Sequence, residues 1–239
     1  MGSPARRIRF QVAYEGTDFA GWQVQKYKRT VQGVLEAALR KLTGRPVRVT
    51  GAGRTDAGVH AEGQVAHADL ESGLPLKTIE RALNAILPED VTVRQVRLAP
   101  PGFHARYRAQ RKTYRYRIWN RPQRPLFDRR FLIHVREPLD LAAMRRAARN
   151  WIGRHDFKAF HSAGRPVRST RRTVFSLKIG AARGTITLDV TADGFLYHMA
   201  RRMAGFLIEV GKGKPAPAIP PTAPARGLTL MKVSYGQRS

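Results

Sequence analysis

Residues 46–70 read "PVRVTGAGRTDAGVHAEGQVAHADL". Its two ends, 46–53 and 63–70, have the look of strands, and the glycine-rich stretch between them reads as their connection. What flanks this pair decides the fold. Ahead of it, "IRFQVAY" at 8–14 reads as a strand. Val31, Val34, Leu35, Ala38, Leu39 and Leu42 then fall at helical spacing, with Thr30 as N-cap and Gly44 as stop. Behind it, Leu76, Ile79, Leu83, Ile86 and Leu87 share one helical face, and "VTVRQVRL" at 91–98 alternates as a closing strand. The order is β-α-β-β-α-β.

The same order returns beyond Pro100-Pro101, without obvious identity between the halves. "KTYRYRIW" at 112–119 is a strand, and Leu141, Met144, Ala148, Trp151 and Ile152 line one side of a helix. "TVFSLKIG" and "TITLDVTA" form a hairpin-like pair. Leu196, Met199, Met203, Phe206, Leu207 and Val210 make a second helical stripe, and "GLTLMKVSY" at 227–235 closes. The expectation is an α+β fold of two ferredoxin-like domains, 1–103 and 104–239, side by side with a basic cleft between them. Residues 211–226, "GKGKPAPAIPPTAPAR", are too rich in proline for regular structure and read as a linker or mobile loop.

At 239 residues and 42% hydrophobic composition the chain can build real cores. It has no cysteine, which excludes disulfides, thiolate zinc sites and cysteine nucleophiles and suits a reducing compartment. The start, "MGSPARRIRF", has no apolar core of signal-peptide length. No stretch approaches the roughly 18 apolar residues of a membrane span, so a soluble, cytoplasmic protein is expected. Against 44 Lys and Arg stand 17 Asp and Glu, a net charge of +27 spread along the whole chain. Such a distribution favours a polyanion, with nucleic acid as the leading partner. A solvated basic surface gives the same number, and a membrane surface is a weaker rival.

"GAGRTDAG" at 51–58 nearly matches the dinucleotide fingerprint, but Asp56 stands where the third glycine belongs and would repel a pyrophosphate. A metal-dependent nuclease would want clustered carboxylates, and only Glu62 and Asp69 lie near Asp56 in sequence. His60 and His67, seven apart, share no helical turn and read as packing. What remains is a carboxylate beside a cation, Arg54, which favours the ionised form that can act as nucleophile or base. An aspartate that only caps its own turn has the same local sequence. Further along, "RYRAQRKTYRYRIW" at 106–119 interleaves tyrosines with cations, the parts of RNA loop recognition. Strand alternation sets Lys112, Tyr114 and Tyr116 on one face and Arg115 and Arg117 on the other, so the tyrosines could equally be core. Arg201 lies roughly opposite the apolar stripe of the last helix, able to point away from its own core.

Taken together, "YEGTDFAGWQVQ" at 14–25, "TVQGVLEAAL" at 30–39, "GRTDAGVHAEGQV" at 53–65, "FHARY" at 103–107, "YRYRI" at 114–118 and "GFLYHMARRMAG" at 194–205 resemble the TruA family of tRNA pseudouridine synthases. The resemblance covers nearly the whole chain in the right order. It implies an isomerase that detaches a uracil from its ribose, turns it and rejoins it through C5, with no cofactor and no obligatory metal. It further implies a homodimer acting on uridines at nucleotides 38 to 40 of the tRNA anticodon stem-loop. Asp56 then corresponds to the nucleophile, Tyr114 to a tyrosine stacking on the target base, Arg201 to the basic partner of the aspartate, and Arg54 to an arginine that holds or replaces the flipped nucleotide. Two departures stand out: the segment 212–225 is shorter than the family's, and position 202 carries Arg in place of a small polar residue. A non-catalytic tRNA-binding protein is the alternative, but it gives Asp56 nothing to do.

Overall fold

The computed structural model describes residues 5–164 and 167–236. The chain divides into two compact units, Met1–Ala109 with Lys232–Ser239, and Gln110–Met231. In the first, the order is β1 (Ala5–Tyr14), α1 (Val31–Thr43), β2 (Thr50–Gly51), β3 (His60–Glu71), α2 (Leu76–Ile86) and β4 (Val91–Leu98). The strands lie in the order β4-β1-β3, with β2 beside β3, and these neighbours are antiparallel. Ile8, Phe10 and Val12 point to one face of β1 and are buried, as are Leu35 and Leu39 of α1 and Ile79 and Leu83 of α2. The helix α1 begins and ends where its sequence indicates. The Thr30 side chain accepts from the Gly33 N–H, and Gly44 takes a left-handed φ of 72°.

Only β2 departs from the expected strand over 46–53. Val47 and Val49 are buried, yet the ladder to β3 covers just Thr50 and Gly51. The reason lies on α1: the Val49 N–H donates to Glu36 Oε1 at 3.0 Å and the Val49 carbonyl accepts from Gln32 Nε2 at 3.0 Å. Helix side chains satisfy the backbone groups a neighbouring strand would have taken.

The second unit follows with β5 (Ala109–Trp119), β6 (Ile133–His134), α3 (Leu141–Arg149), β7 (Gly153–Asp156), β8 (Arg171–Ala182), β9 (Thr185–Ala192) and α4 (Met199–Gly211), and β10 (Leu228–Tyr235) ends the order. Strands β5, β9, β8 and β7 are successive antiparallel neighbours, and β6 runs parallel to β5. The short strands β6 and β7 carry no periodic signal of their own and are absent from the sequence reading. Met144 and Ala148 of α3 and Met199, Met203 and Leu207 of α4 are buried. Among the described residues no helix is long and apolar enough to cross a membrane.

Segment 212–226 is not a loose linker at its far end. Pro220 and Ala223 are buried, and the Pro221 carbonyl lies so close to α4 that a Cβ on Gly205 would come within 2.0 Å of its oxygen. Proline removes N–H donors but leaves carbonyls, and side chains from β5 and α4 bind those of Pro224 and Ala223.

Candidate active site

The Asp56 turn, 52–59, connects β2 to β3 and is tied down on both sides. The Ala52 N–H donates to the Val65 carbonyl (2.7 Å), and Gln64 Nε2 donates to the Gly53 carbonyl (2.8 Å). From the connection between β1 and α1, the Trp22 N–H donates to the Thr55 carbonyl (3.1 Å), while the Gly58 N–H donates to Phe19 (3.3 Å). Thr55 is buried, with its hydroxyl 2.8 Å from that of Tyr14, and Gly16 N–H donates to His60 Nδ1 at 2.9 Å. Asp56 itself is half-buried and its carbonyl accepts from Val59 N–H across the turn (3.2 Å); Arg54 is exposed. The aspartate therefore sits on a backbone fixed at the residues either side of it.

The glycines divide the labour. Gly58 has a positive φ of 76°, which closes the turn. Gly51 is needed for room, since a Cβ there would lie 2.5 Å from the Trp22 ring; Gly21 meets the Thr55 carbonyl in the same way, at 2.7 Å. Burial holds the Tyr14 phenol well above its ordinary range, against the opposing pull of its Thr55 and Gln64 hydrogen bonds, so its hydroxyl stays protonated. His60 and His67 are both buried acceptors, His67 Nδ1 taking the Ala105 N–H at 3.2 Å. Their work is packing and backbone satisfaction, as their spacing indicates.

Tyr114 and Arg201 belong to the second unit. Tyr114 is buried on β5, its ring edge-on to Phe195 with centroids 4.9 Å apart. Tyr116, two residues on, is deeper and donates to the Pro224 carbonyl at 2.8 Å. Arg115 faces the other way, in a bidentate pair with Asp189 at 2.7 and 2.8 Å. Arg201 Nε donates to the Ala223 carbonyl at 2.8 Å, and the Ala223 N–H donates back to the Arg201 carbonyl at 3.2 Å. Adjacent carbonyls, 223 and 224, thus hold Arg201 of α4 and the core tyrosine of β5. Burial raises the Tyr116 phenol above its usual range, opposed by the nearby charges of Arg201 and Arg226. Arg202 completes the clamp, reaching Thr222 Oγ1 (3.3 Å) and the carbonyls of Ala159 (3.1 Å) and His161 (3.2 Å). The partners of Arg202 are distant in the chain and leave no local signal.

Arg201 and Arg202 stand in the first turn of α4, where the helix dipole favours anions and opposes cations. Two arginines in that turn make an electropositive helix end suited to a carboxylate or phosphate. Asp56 and Arg54 share one turn of the first unit; Tyr114 and Arg201 are set on β5 and α4 of the second.

A family model described as tRNA pseudouridine synthase matches residues 11–108 and 147–221. The chain belongs to the tRNA pseudouridine synthase family. Arg54, Asp56 and Arg201 fall within the matched ranges, and Tyr114 lies between them. The tRNA pseudouridine synthase A of Moorella thermoacetica is 45% identical over 243 residues, covering 95% of this chain and 99% of its own. That of Brevibacillus brevis is 44% identical, covering 96% and 100%, and that of Solidesulfovibrio magneticus is 46% identical, covering 96% and 91%. Among solved structures, a Cbf5-Nop10-Gar1 complex is similar with a TM-score of 0.36 at 11% identity, over 93% of this chain and 57% of that one. Pseudouridine synthases are isomerases, and the resemblance expected from the motifs is met along the chain.

Proposed function

We propose that this member of the tRNA pseudouridine synthase family isomerises uridine to pseudouridine at nucleotides 38 to 40 of the tRNA anticodon stem-loop, with Asp56 as nucleophile. The observation that carries the reading is the Asp56 turn: a carboxylate on a backbone pinned at Thr55 and Gly58 within a matched family range. A nucleophile held by its own backbone loses little freedom on attack. The reaction balances within the substrate. The Asp56 carboxylate bonds to C6 of the uracil or to C1′ of the ribose, the N1–C1′ bond breaks, the uracil turns, C5 bonds to C1′, the bond to Asp56 breaks to return the carboxylate, the proton on C5 leaves and N1 gains one. Uridine and pseudouridine are isomers, so no oxidant, reductant or group donor enters.

In this account Tyr114 stacks on the target base, Arg201 pairs with Asp56, and Arg54 occupies or holds the place of the flipped nucleotide. Flipping costs a few kcal/mol, which stacking and phosphate contacts offset. The two halves, 1–103 with the Asp56 turn and 104–239 with Tyr114 and Arg201, act as ferredoxin-like domains on the two sides of a basic cleft. The antiparallel order β4-β1-β3-β2 of the first unit supports that description. The protein works as a cytoplasmic homodimer.

Tritium release from C5-labelled transcripts tests the reading, using substrates that keep a single uridine at position 38, 39 or 40, with EDTA present. Release from these and none from a transcript with uridines elsewhere is expected. Binding without release would favour the non-catalytic alternative, and chelator-sensitive strand cleavage would favour a nuclease.

A further inference from the structure

Residues 20–29, between β1 and α1, fold into a closed turn with Tyr27 at its tip. The Ala20 N–H donates to the Arg29 carbonyl (2.9 Å), Gln25 pairs with Lys28 across a short antiparallel bridge, and Gln25 Nε2 donates back to the Ala20 carbonyl (2.8 Å). The base of the turn is bolted: Arg29 makes a bidentate pair with Asp90 at 2.7 and 2.8 Å, and its guanidinium lies 4.0 Å over the Phe19 ring. On this rigid support Tyr27 is 92% exposed and has a left-handed φ of 59°. Glycine or asparagine would take that conformation at less cost. Lys26 Nζ lies 4.8 Å from the ring centroid, over one face, and Lys28 follows in the chain. The same connection carries Phe19 and Trp22, whose backbone groups hold the Asp56 turn.

We propose that Tyr27 is a stacking platform for an unpaired nucleobase of the substrate RNA, flanking the uridine that Asp56 acts on, with Lys26 and Lys28 on the adjoining phosphates. The inference rests on the RNA reading given above. An exposed aromatic on a tied-down turn, with a cation beside it, is what single-stranded recognition uses. The chain keeps it near: Tyr27 is five residues past Trp22, which hydrogen-bonds Thr55, so its Cα lies at most about 18 Å from that of Trp22 when fully extended and less in a closed turn. A stack at this range adds binding without touching the reacting atoms.

The test compares wild type, Tyr27→Ala and Tyr27→Phe in two assays on tRNA transcript: anisotropy of a fluorescently labelled RNA, which does not depend on turnover, and tritium release. Tyr27→Ala should weaken binding and raise KM about five- to a hundredfold with kcat unchanged, and Tyr27→Phe should match wild type. A scan of single abasic nucleotides through the anticodon loop should find one position whose loss is not additive with Tyr27→Ala. Unchanged binding in Tyr27→Ala, equal losses in Ala and Phe, or additivity at every position would each overturn the platform. Wild type that binds RNA without releasing tritium would instead overturn the catalytic reading and leave the platform to be judged by the binding assay.

Discussion

His67, buried on β3 opposite Thr50 of β2, is held in one protonation state by its surroundings. Burial, with the charges of His104 and Arg7 against the weaker pull of Asp69, lowers its pKa from 6.5 to about 4. The unfolded chain takes up this proton near pH 6.5, the folded one only near pH 4, so the contribution to stability is complete above 6.5 and declines as pH falls towards 4. Urea midpoints between pH 7 and 5 should therefore fall in wild type and fall less in His67→Asn, which keeps an acceptor for Ala105 but does not titrate. Equal pH slopes would show that another group is responsible. Tyr14 is the other decisive side chain. Tyr14→Phe leaves the buried Thr55 hydroxyl without this partner and should cost about 1–3 kcal/mol in chemical denaturation, with turnover falling because Thr55 adjoins Asp56. The glycines made the turn that carries Asp56 legible but not this bond, whose partners are 41 residues apart.

At the scale of elements, what could be read depended on where each backbone group finds its partner. The ends of α1 were legible because Thr30 and Gly44 act locally. The truncated strand at 46–49 was not, because Gln32 and Glu36 reach it from another element. The proline-rich stretch likewise read as a linker because its composition argues against helix and strand. Its carbonyls at 223 and 224 nonetheless accept from Arg201 and Tyr116. That strap gives a prediction. Gly205→Ala drives a Cβ into the Pro221 carbonyl and should destabilise by about 1–3 kcal/mol, lowering Tm by roughly 2–12 °C for a chain of this size. Turnover should fall further than stability alone accounts for, because Arg201 loses its Ala223 anchor. A Gly205→Ala protein with wild-type Tm and turnover would show that the strap positions nothing.

Over the whole molecule the excess positive charge, +27, gives binding a signature that is independent of any one residue. If roughly five phosphates are neutralised, tRNA affinity should fall roughly one hundred- to five-hundredfold between about 50 and 200 mM salt; a flat dependence would mean that the charge is only a solvated surface. Sedimentation equilibrium should give twice the 26.8 kDa chain mass, and a monomer would remove the homodimer from the account. The mixed α+β character, the four helices with the longer strands, and the family motifs were legible at this scale because they are written in long periodic runs and compact signatures. The short strands β6 and β7 were not, because two and four residues carry no period. The central claim, that Asp56 is the nucleophile, is tested most directly by tritium release from C5-labelled tRNA with Asp56→Asn, alongside binding of the same RNA. The account predicts wild-type affinity with release abolished; release at a rate near wild type would contradict it.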